Sequence, residues 1–220
     1  MAEFVSPTSS YIITSLLSAY GKSDRPPATR RAITRDILAD LIQSIEQKEV
    51  GYNKKLYVAL LCLMYHGLLR CSEVTHSSRC SHNLEASQIE LGNGSLIQIK
   101  FVSYKHNKPN PAPLCIKATY DSICPVRAIK RYTKMKPINA PALFSHENGR
   151  PVSRGQLVDI IKFHLDTCGR NSADFNTHSL RMGKATDMHR DGFTDRQIAV
   201  AGRWSSSAFL KYIKPNIIVI

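Results

Sequence analysis

Apolar residues repeat at helical spacing along much of the chain. Between residues 33 and 45 they recur every three or four positions, and Thr34 stands where it can cap the first turn. Residues 56–69 are apolar nearly all round, which predicts a helix buried on every side. Three later helices are predicted from the residues that can open them, namely Pro125, Ser153 and the capping-box pair Thr194 and Gln197.

The periodicity changes to that of a β-strand in the middle of the chain. Residues 96–102 alternate between apolar and polar side chains, and the glycines of residues 92–94 predict a hairpin turn before them. A second alternating run begins at Leu114, and the segment between the two runs holds Lys105 and Lys108. The pattern therefore predicts a mainly α fold with one small antiparallel sheet, an α+β fold, whose hairpin has a basic tip.

Composition divides the chain into a short leading segment and a longer folded part. Residues 1–30 end in a polar, proline-rich stretch that is typical of a linker, whereas residues 31–220 carry the helical and strand patterns. No apolar run is long enough to cross a bilayer, and the first residues lack the basic-then-apolar order of a signal peptide. We therefore expect an intracellular protein with no membrane contact.

The charge of the chain is strongly basic. Thirty Lys and Arg residues against 17 Asp and Glu residues give a net charge of +13. Residues 99–136 contain nine Lys or Arg residues and one acidic residue, Asp121. A surface of this kind attracts polyanions, and the phosphates of DNA are the commonest partner.

Six cysteines are present, and none forms a CxxC pair. Their low density indicates reduced intracellular thiols rather than a disulfide scaffold. One group has the residue types of a zinc site: Cys71, His76, Cys80 and His82. Its spacing matches no familiar zinc finger, so we interpret the group as a chance cluster and expect no metal.

The chemistry-bearing residues stand in a fixed order. His178 and Arg181 are three residues apart, which places both side chains on one face of a helix. Trp204 follows Arg181 by 23 residues, and Tyr212 follows Trp204 by eight. Arg70 lies far upstream, at the end of the buried apolar segment. An H-x-x-R pair by itself is weak evidence, and the order of the whole set carries the information.

This order resembles the catalytic residues of the tyrosine recombinases, the family of Cre and the phage lambda integrase: Arg70, Lys105, His178, Arg181, Trp204 and Tyr212. The resemblance covers residues 30–215, and residues 124–132 and 201–213 are most similar to recombinases of Crypton and DIRS mobile elements. It implies the catalytic-domain fold that this family shares with type IB topoisomerases. It also implies that residues 1–30 include the remnant of an N-terminal core-binding domain and that residues 31–220 form the catalytic domain.

The resemblance implies a metal- and ATP-independent reaction without a cofactor. Tyr212 would attack a DNA phosphodiester and form a 3′-phosphotyrosine. Arg70 and Arg181 would stabilise the negative charge that develops on the phosphate oxygens, because a guanidinium is always charged and presents a planar fork. His178 would act as the general base or as a hydrogen-bonding aid.

Lysine and tryptophan complete the implied site. Lys105, just past the end of the strand, would protonate the leaving 5′ oxygen, and Lys108 in the same loop remains the alternative. Trp204 would donate its indole N–H to a phosphate oxygen. Lys100 and Lys108 are further candidates for contacts with DNA.

Two residues next to the implied site have alternative interpretations. Glu73 resembles the acidic residue that supports the catalytic site in the family, and its plain structural role would be an ion pair with Arg70. Arg203 is a candidate for a phosphate contact, or it faces only solvent.

The resemblance implies double-stranded DNA as the partner and a homo-oligomer, a tetramer, on that DNA, in the nucleus if the host is eukaryotic. Two other functions stay open: a type IB topoisomerase-like enzyme that relaxes DNA, and a domesticated DNA-binding protein without activity. Loss of a catalytic residue would favour the inactive protein, and none of the following is lost: Arg70, His178, Arg181 and Tyr212.

Overall fold

The computed structural model describes residues 30–76, 83–92, 95–101 and 113–204. Most of these residues are helical. Along these ranges, three α-helices come before the strands of a small sheet and four come after them. The helices are α1 (Arg35–Lys48), α2 (Gly51–His66), α3 (Cys71–Val74), α4 (Pro125–Thr133), α5 (Arg154–Thr167), α6 (His178–Arg190) and α7 (Asp195–Gly202). The strands are β1 (Ile89–Gly92), β2 (Leu96–Ile99) and β3 (Leu114–Lys117), and short 3-10 helices span Ala86–Gln88 and Ser172–Asp174.

Helix α2 lies at the centre of the core. Its side chains from Val58 to Tyr65 are all buried, as the continuous apolar run predicted. Helices α1, α4 and α6 pack around it. On α1 the apolar residues at helical spacing, among them Leu38, Leu41 and Ile45, are fully buried in the same cluster. The uniformly apolar pattern of α2 thus places it at the centre of the core, and the amphipathic pattern of α1 places α1 at the edge, with one face toward α2.

The sheet has three antiparallel strands in the order β1-β2-β3. Gly92 pairs with Leu96, so the glycine-containing segment connects β1 and β2 as the sequence predicted. Ile97 and Ile99 are fully buried, and the residues between and beside them are less so. Strand β1 was not predicted from the sequence, because it is only four residues long; its last three residues are exposed.

Most of the helix starts agree with their predicted signals. Pro125 begins α4, the Ser153 hydroxyl accepts the Gln156 N–H at the start of α5, and Thr194 with Gln197 forms a capping box on α7. Thr34 is the N-cap of α1, but its side chain makes no capping hydrogen bond. The backbone N–H of Arg35 instead donates to the carboxylate of Asp187, 2.7 Å away.

Helix α6 is held in place from three sides. The segment before α1 pairs with its N-terminal end, where the Ile33 N–H donates to the Ser179 carbonyl over 2.9 Å. Asp187 accepts hydrogen bonds from the Arg35 backbone and from the Tyr65 hydroxyl of α2. Gly183 permits the close approach, since a Cβ there would lie 1.6 Å from the Ile33 carbonyl oxygen. The helix that carries the H-x-x-R motif is therefore fixed to both α1 and α2.

The fold class predicted from the sequence, mainly α with a small antiparallel sheet, is confirmed. Within the described ranges no helix combines the length and the apolar character that a membrane crossing requires. The five described cysteines are free thiols. Residues 1–29 lie outside the described part, so the domain boundary near residue 30 stays a prediction.

Candidate active site

The loop after α2 places Arg70. Leu68 in this loop has a positive φ of 45°, a left-handed conformation that a leucine adopts only when its surroundings hold it there. The Leu68 side chain is buried with Ala185 of α6 and Ile198 of α7. Arg70 follows as the N-cap of α3, and its side chain is 21% exposed. The packed leucine therefore directs the chain so that Arg70 reaches the surface beside α6.

Glu73 is a buried carboxylate between two guanidinium groups. Its Oε1 lies 3.1 Å from Nη1 of Arg70, and its Oε2 lies 2.8 Å from Nη2 of Arg203. The Arg70 backbone N–H also donates to Oε2 over 2.7 Å. A carboxylate that is 4% exposed needs such partners, because burial of an unpaired charge is costly. The predicted ion pair of Glu73 with Arg70 is therefore present.

Arg181 lies in the interior of the site. The residue is 2% exposed, and its guanidinium donates to the carbonyl oxygens of Leu68 and Gly202. Its Cζ lies 4.2 Å from the centroid of the Trp204 ring, at cation–π distance. Carbonyl oxygens fix a guanidinium without neutralising it, so these two contacts leave the positive charge of Arg181 in place. Such a preoriented cation suits an anion whose charge increases during a reaction.

Trp204 packs against the end of α7. Its ring lies directly on Gly202, where a Cβ would come within 1.7 Å of ring atom Cζ3. The ring also packs against the small apolar cluster that contains Leu68, Ala185 and Ile198. Gly202 therefore decides where the tryptophan lies, and the tryptophan covers one face of the Arg181 guanidinium.

His178 opens α6, and its backbone N–H donates to the Asn176 side chain over 2.8 Å. The residue retains exposed surface, but its ring is partly enclosed. Partial burial, followed by the positive charges of Arg181, Arg154 and Arg70, lowers the pKa of His178 below its usual value. The imidazole is therefore neutral near pH 7, which is the form that accepts a proton.

The structure brings together four of the residues that the sequence singled out for chemistry. Arg70, His178, Arg181 and Trp204 meet where the end of α2, the start of α6 and the end of α7 come together. Their catalytic roles are not tested by this arrangement. Tyr212, Lys105 and Lys108 lie outside the described residues, and their roles stay predictions.

The position of the Arg203 side chain contradicts one of its two interpretations from the sequence, that it faces only solvent. Its side chain is only 11% exposed and bonds to Glu73 and to the Gly67 carbonyl, 3.2 Å away, so it does not face solvent. The ion pair with the buried carboxylate explains this inward direction. A phosphate contact by Arg203 stays a prediction. Lys100 does face solvent, and it pairs with Glu90 across the β1–β2 hairpin at 2.5 Å.

Two further residues belong to the site and were not found in the sequence. Arg154, the first residue of α5, is exposed and contributes to the positive charge around His178. The sequence could not show that Arg154 lies at the site, because α5 joins the site only through tertiary packing. Gly202 had a readable signal, since a glycine at a helix end, two residues before a large aromatic residue, often permits close approach.

Metal ligation finds no support in the described ranges, where no three His, Cys, Asp or Glu side chains are placed to hold an ion. Cys71 of the suspected zinc cluster is buried against the Thr75 hydroxyl, 3.4 Å away. Cys80 and His82 lie outside the described residues, so the zinc alternative is not tested.

Comparison with known proteins identifies the class to which this fold and site belong. The sequence profile of the phage integrase family matches residues 31–214. The chain belongs to the phage integrase family, the tyrosine recombinases, as its motifs predicted. No protein of curated function matches the chain by sequence.

Several solved structures share the fold. The XerA recombinase has a TM-score of 0.64 at 18% identity, over 97% of this chain and 73% of its own. The XerH site-specific recombinase, bound to a palindromic difH substrate in a post-cleavage complex, has a TM-score of 0.62 at 15% identity, over 84% of this chain. The Tn1549 transposon integrase, in complex with circular intermediate DNA, has a TM-score of 0.61 at 17% identity, over 95% of this chain and 77% of its own.

The chain spans about half the length of the XerH recombinase, 49% of it. At these low identities the likeness establishes the fold. The predicted kinship with Crypton and DIRS elements is not tested by these comparisons.

Proposed function

We propose that this protein is a site-specific DNA recombinase or transposase that cleaves and rejoins DNA through a covalent 3′-phosphotyrosine. The observation that carries the proposal is the Arg181 guanidinium, which two carbonyl oxygens orient and whose positive charge, like that of Arg70, acts on His178. Family membership supports the same activity. We further propose that residues 31–220 form the catalytic domain and that residues 1–30 form a linker and the remnant of an N-terminal core-binding domain.

The chemistry follows from the charges. The Tyr212 hydroxyl would attack the phosphorus, forming the phosphotyrosine bond as the bond to the 5′ oxygen breaks. Extra negative charge then develops on the two non-bridging oxygens, and Arg70 and Arg181 are the cations that stabilise it. His178, neutral because its pKa is lowered, would accept the phenolic proton. Lys105, or else Lys108, would protonate the departing 5′ oxygen.

The reaction needs neither ATP nor a metal ion in this scheme. The phosphotyrosine preserves the energy of the original phosphodiester, so a 5′ hydroxyl of another strand can reverse the step without an external energy source. Fixed guanidinium groups supply the charge stabilisation that metal ions supply in many nucleases. The indole N–H of Trp204 would add one hydrogen bond to a phosphate oxygen.

Double-stranded DNA is the proposed partner. The charge of +13 supports it, and so do the DNA complexes of the XerH recombinase and the Tn1549 integrase. We propose that the protein acts on DNA as a homo-oligomer, a tetramer, because exchange requires four strands to be cut. A lambda integrase with the same fold was crystallised as a dimer on a core site.

The deciding experiment is covalent capture of DNA by the natural full-length protein. In a library of nicked duplexes, the short fragment that carries the new 5′ hydroxyl diffuses away after cleavage, so that the phosphotyrosine accumulates and the captured DNA can be sequenced. We expect an adduct that survives SDS, in the presence of excess EDTA. Tyr212→Phe removes only the hydroxyl and should bind DNA normally without forming the adduct.

Other outcomes would contradict parts of the proposal. An adduct that persists in Tyr212→Phe would show that the nucleophile is a different residue. Cleavage that needs added Mg²⁺ or Zn²⁺ would contradict the metal-independent scheme. Relaxation of supercoiled DNA without any exchange of partners would indicate a topoisomerase. DNA binding without an adduct would indicate an inactive binding protein.

A further inference from the structure

We propose that Arg203 is a positioning residue for Arg70 and acts on it through the buried carboxylate of Glu73. This inference rests on the proposed function, since it concerns the presentation of Arg70 to a phosphate. It differs from the sequence interpretations of Arg203, in which the side chain contacts phosphate directly or faces solvent.

Glu73 uses both of its oxygens to connect the two arginines. Oε1 binds Nη1 of Arg70 at 3.1 Å, and Oε2 binds both the Arg70 backbone N–H at 2.7 Å and Nη2 of Arg203 at 2.8 Å. The Glu73 and Arg203 side chains are 4% and 11% exposed, whereas that of Arg70 is 21% exposed. Of the two arginines, the more exposed one, Arg70, is thus the one assigned to the phosphate.

Arg203 adopts a strained backbone to reach this position. It follows α7 with a φ of 57°, a left-handed conformation that is unfavourable for a non-glycine residue. Its side chain then runs back toward the end of α2, where Nη1 donates to the Gly67 carbonyl over 3.2 Å. Its Cζ also lies 4.6 Å from the centroid of the Phe101 ring. The contacts of the guanidinium hold the residue in this conformation.

The charges explain why a second arginine is useful here. Arg70 and Glu73 by themselves form a neutral pair, and a neutral pair attracts phosphate weakly. Arg203 balances the carboxylate, so the trio carries a net positive charge and Arg70 supplies it to the outside. Arg203 also stands directly before Trp204 in the chain, so the same residue connects the end of α7 to the Arg70 loop.

The test compares Arg203→Met with wild type in single-turnover cleavage at saturating nicked DNA. Methionine keeps much of the apolar stem but removes the charge. We expect cleavage to slow by about 10- to 100-fold, as for other residues that orient a catalytic group, with little change in DNA affinity. Arg196→Met, which removes an exposed arginine from α7, the helix that ends just before Arg203, is the matched control and should cleave at the wild-type rate.

A double-mutant cycle with Glu73→Gln separates positioning from direct contact. If Arg203 acts through Glu73, Arg203→Met should cause little further slowing in the Glu73→Gln background. If Arg203 touches phosphate directly, the two effects should multiply, and that result would overturn the inference.

A second readout uses a methylphosphonate at the cleaved position, where a methyl group replaces one charged oxygen. Such a phosphate needs less cationic stabilisation, so the slowing caused by Arg203→Met and by Arg70→Ala should shrink together. General loosening of the fold would slow both substrates equally. Arg203→Lys keeps the charge and should recover part of the rate, which provides a second variant if Arg203→Met unfolds in thermal denaturation.

The outcomes distinguish this inference from the proposed function. A wild-type protein that forms no adduct contradicts the proposed function itself. If the wild-type protein forms the adduct and both Arg203→Met and Arg203→Lys cleave at the wild-type rate, only the positioning role is contradicted.

Discussion

At the scale of single residues, the site keeps its cations charged but fixed. Arg181 is held by the carbonyl oxygens of Leu68 and Gly202, whereas Arg70 is held by the carboxylate of Glu73. Carbonyl dipoles orient a guanidinium and leave its charge intact, and a carboxylate cancels it unless another cation is near. These contacts support the two arginines by different means, and the carboxylate that binds Arg70 also pairs with Arg203.

The lowered pKa of His178 leads to a prediction about pH. Burial and the neighbouring arginines disfavour the imidazolium, so the ring stays neutral as the pH falls below the ordinary histidine value of 6.5. We expect single-turnover cleavage to persist below pH 6.5 and to be lost only as the pH falls through the lowered pKa. The measurement is the rate of adduct formation between pH 5 and pH 8.

The control for this prediction is His178→Gln, which keeps hydrogen-bonding capacity but cannot accept a proton in this range. It should cleave about 100-fold or more slowly, and its rate should lack the acid limb that the wild type shows. An acid limb of unchanged midpoint in His178→Gln would show that another group titrates.

At the scale of helices, the site depends on how closely α6 approaches the rest of the molecule. The Ile33 carbonyl lies against Gly183, and Asp187 joins α6 to α1 and α2. Burial of the Tyr65 hydroxyl, and its hydrogen bond to Asp187, raise the pKa of that tyrosine. The neutral phenol therefore remains a donor to the carboxylate across the accessible pH range, and α6 stays joined to α2.

Gly183→Ala tests this close approach. A Cβ would overlap the Ile33 carbonyl at 1.6 Å, so α6 or the segment before α1 must move. We expect a loss of about 1–3 kcal/mol in the free energy of unfolding, which is the usual cost of overpacking, together with slower cleavage. Urea denaturation followed by circular dichroism measures the loss.

Gly155→Ala is the matched control, because Gly155 is an exposed helical glycine of α5 with only the Ser153 hydroxyl near, 3.9 Å from the added Cβ. Alanine is the better helix former there, so this variant should be equal to the wild type or more stable by up to about 1 kcal/mol. Equal losses in Gly183→Ala and Gly155→Ala would contradict the close-packing explanation.

At the scale of the whole molecule, positive charge is the dominant property. The net charge of +13 is spread over many residues, and only a few of them belong to the site. Under the proposed function, most of this charge would contribute affinity for the phosphate backbone of DNA, whereas the site residues would contribute to the chemistry. Binding and catalysis should consequently respond differently to salt and to mutation.

Binding to DNA should weaken steeply as salt increases. Each phosphate that a lysine or arginine neutralises contributes about −0.9 to the slope of log K against log salt concentration. Fluorescence anisotropy with a labelled duplex gives the slope. Lys108→Ala should reduce its magnitude by about one unit if Lys108 contacts a phosphate. An affinity that does not depend on salt would contradict an electrostatic interface.

The sequence alone determined the fold class, most helix starts and the family. These properties depend on local signals: apolar periodicity defines the faces of α1 and α2, and Pro125, Ser153 and Thr194 act on the residues next to them in the chain. The family was readable because the order of Arg70, the His178–Arg181 pair, Trp204 and Tyr212 along the chain is itself a property of the sequence. Strand β1 was missed because it has only four residues, too few for an alternating pattern to stand out in the sequence.

Only the tertiary structure decided which partner each charge has. Arg203 and Glu73 are 130 residues apart in the chain, and Arg181 lies 113 residues from the Leu68 carbonyl that it binds. Such contacts depend on how α2, α6 and α7 come together, and no local pattern encodes the direction of a long side chain at a helix end. The sequence could therefore name the cations of the site, but whether each one faces a phosphate, a carbonyl oxygen or a buried carboxylate is a property of the packed molecule.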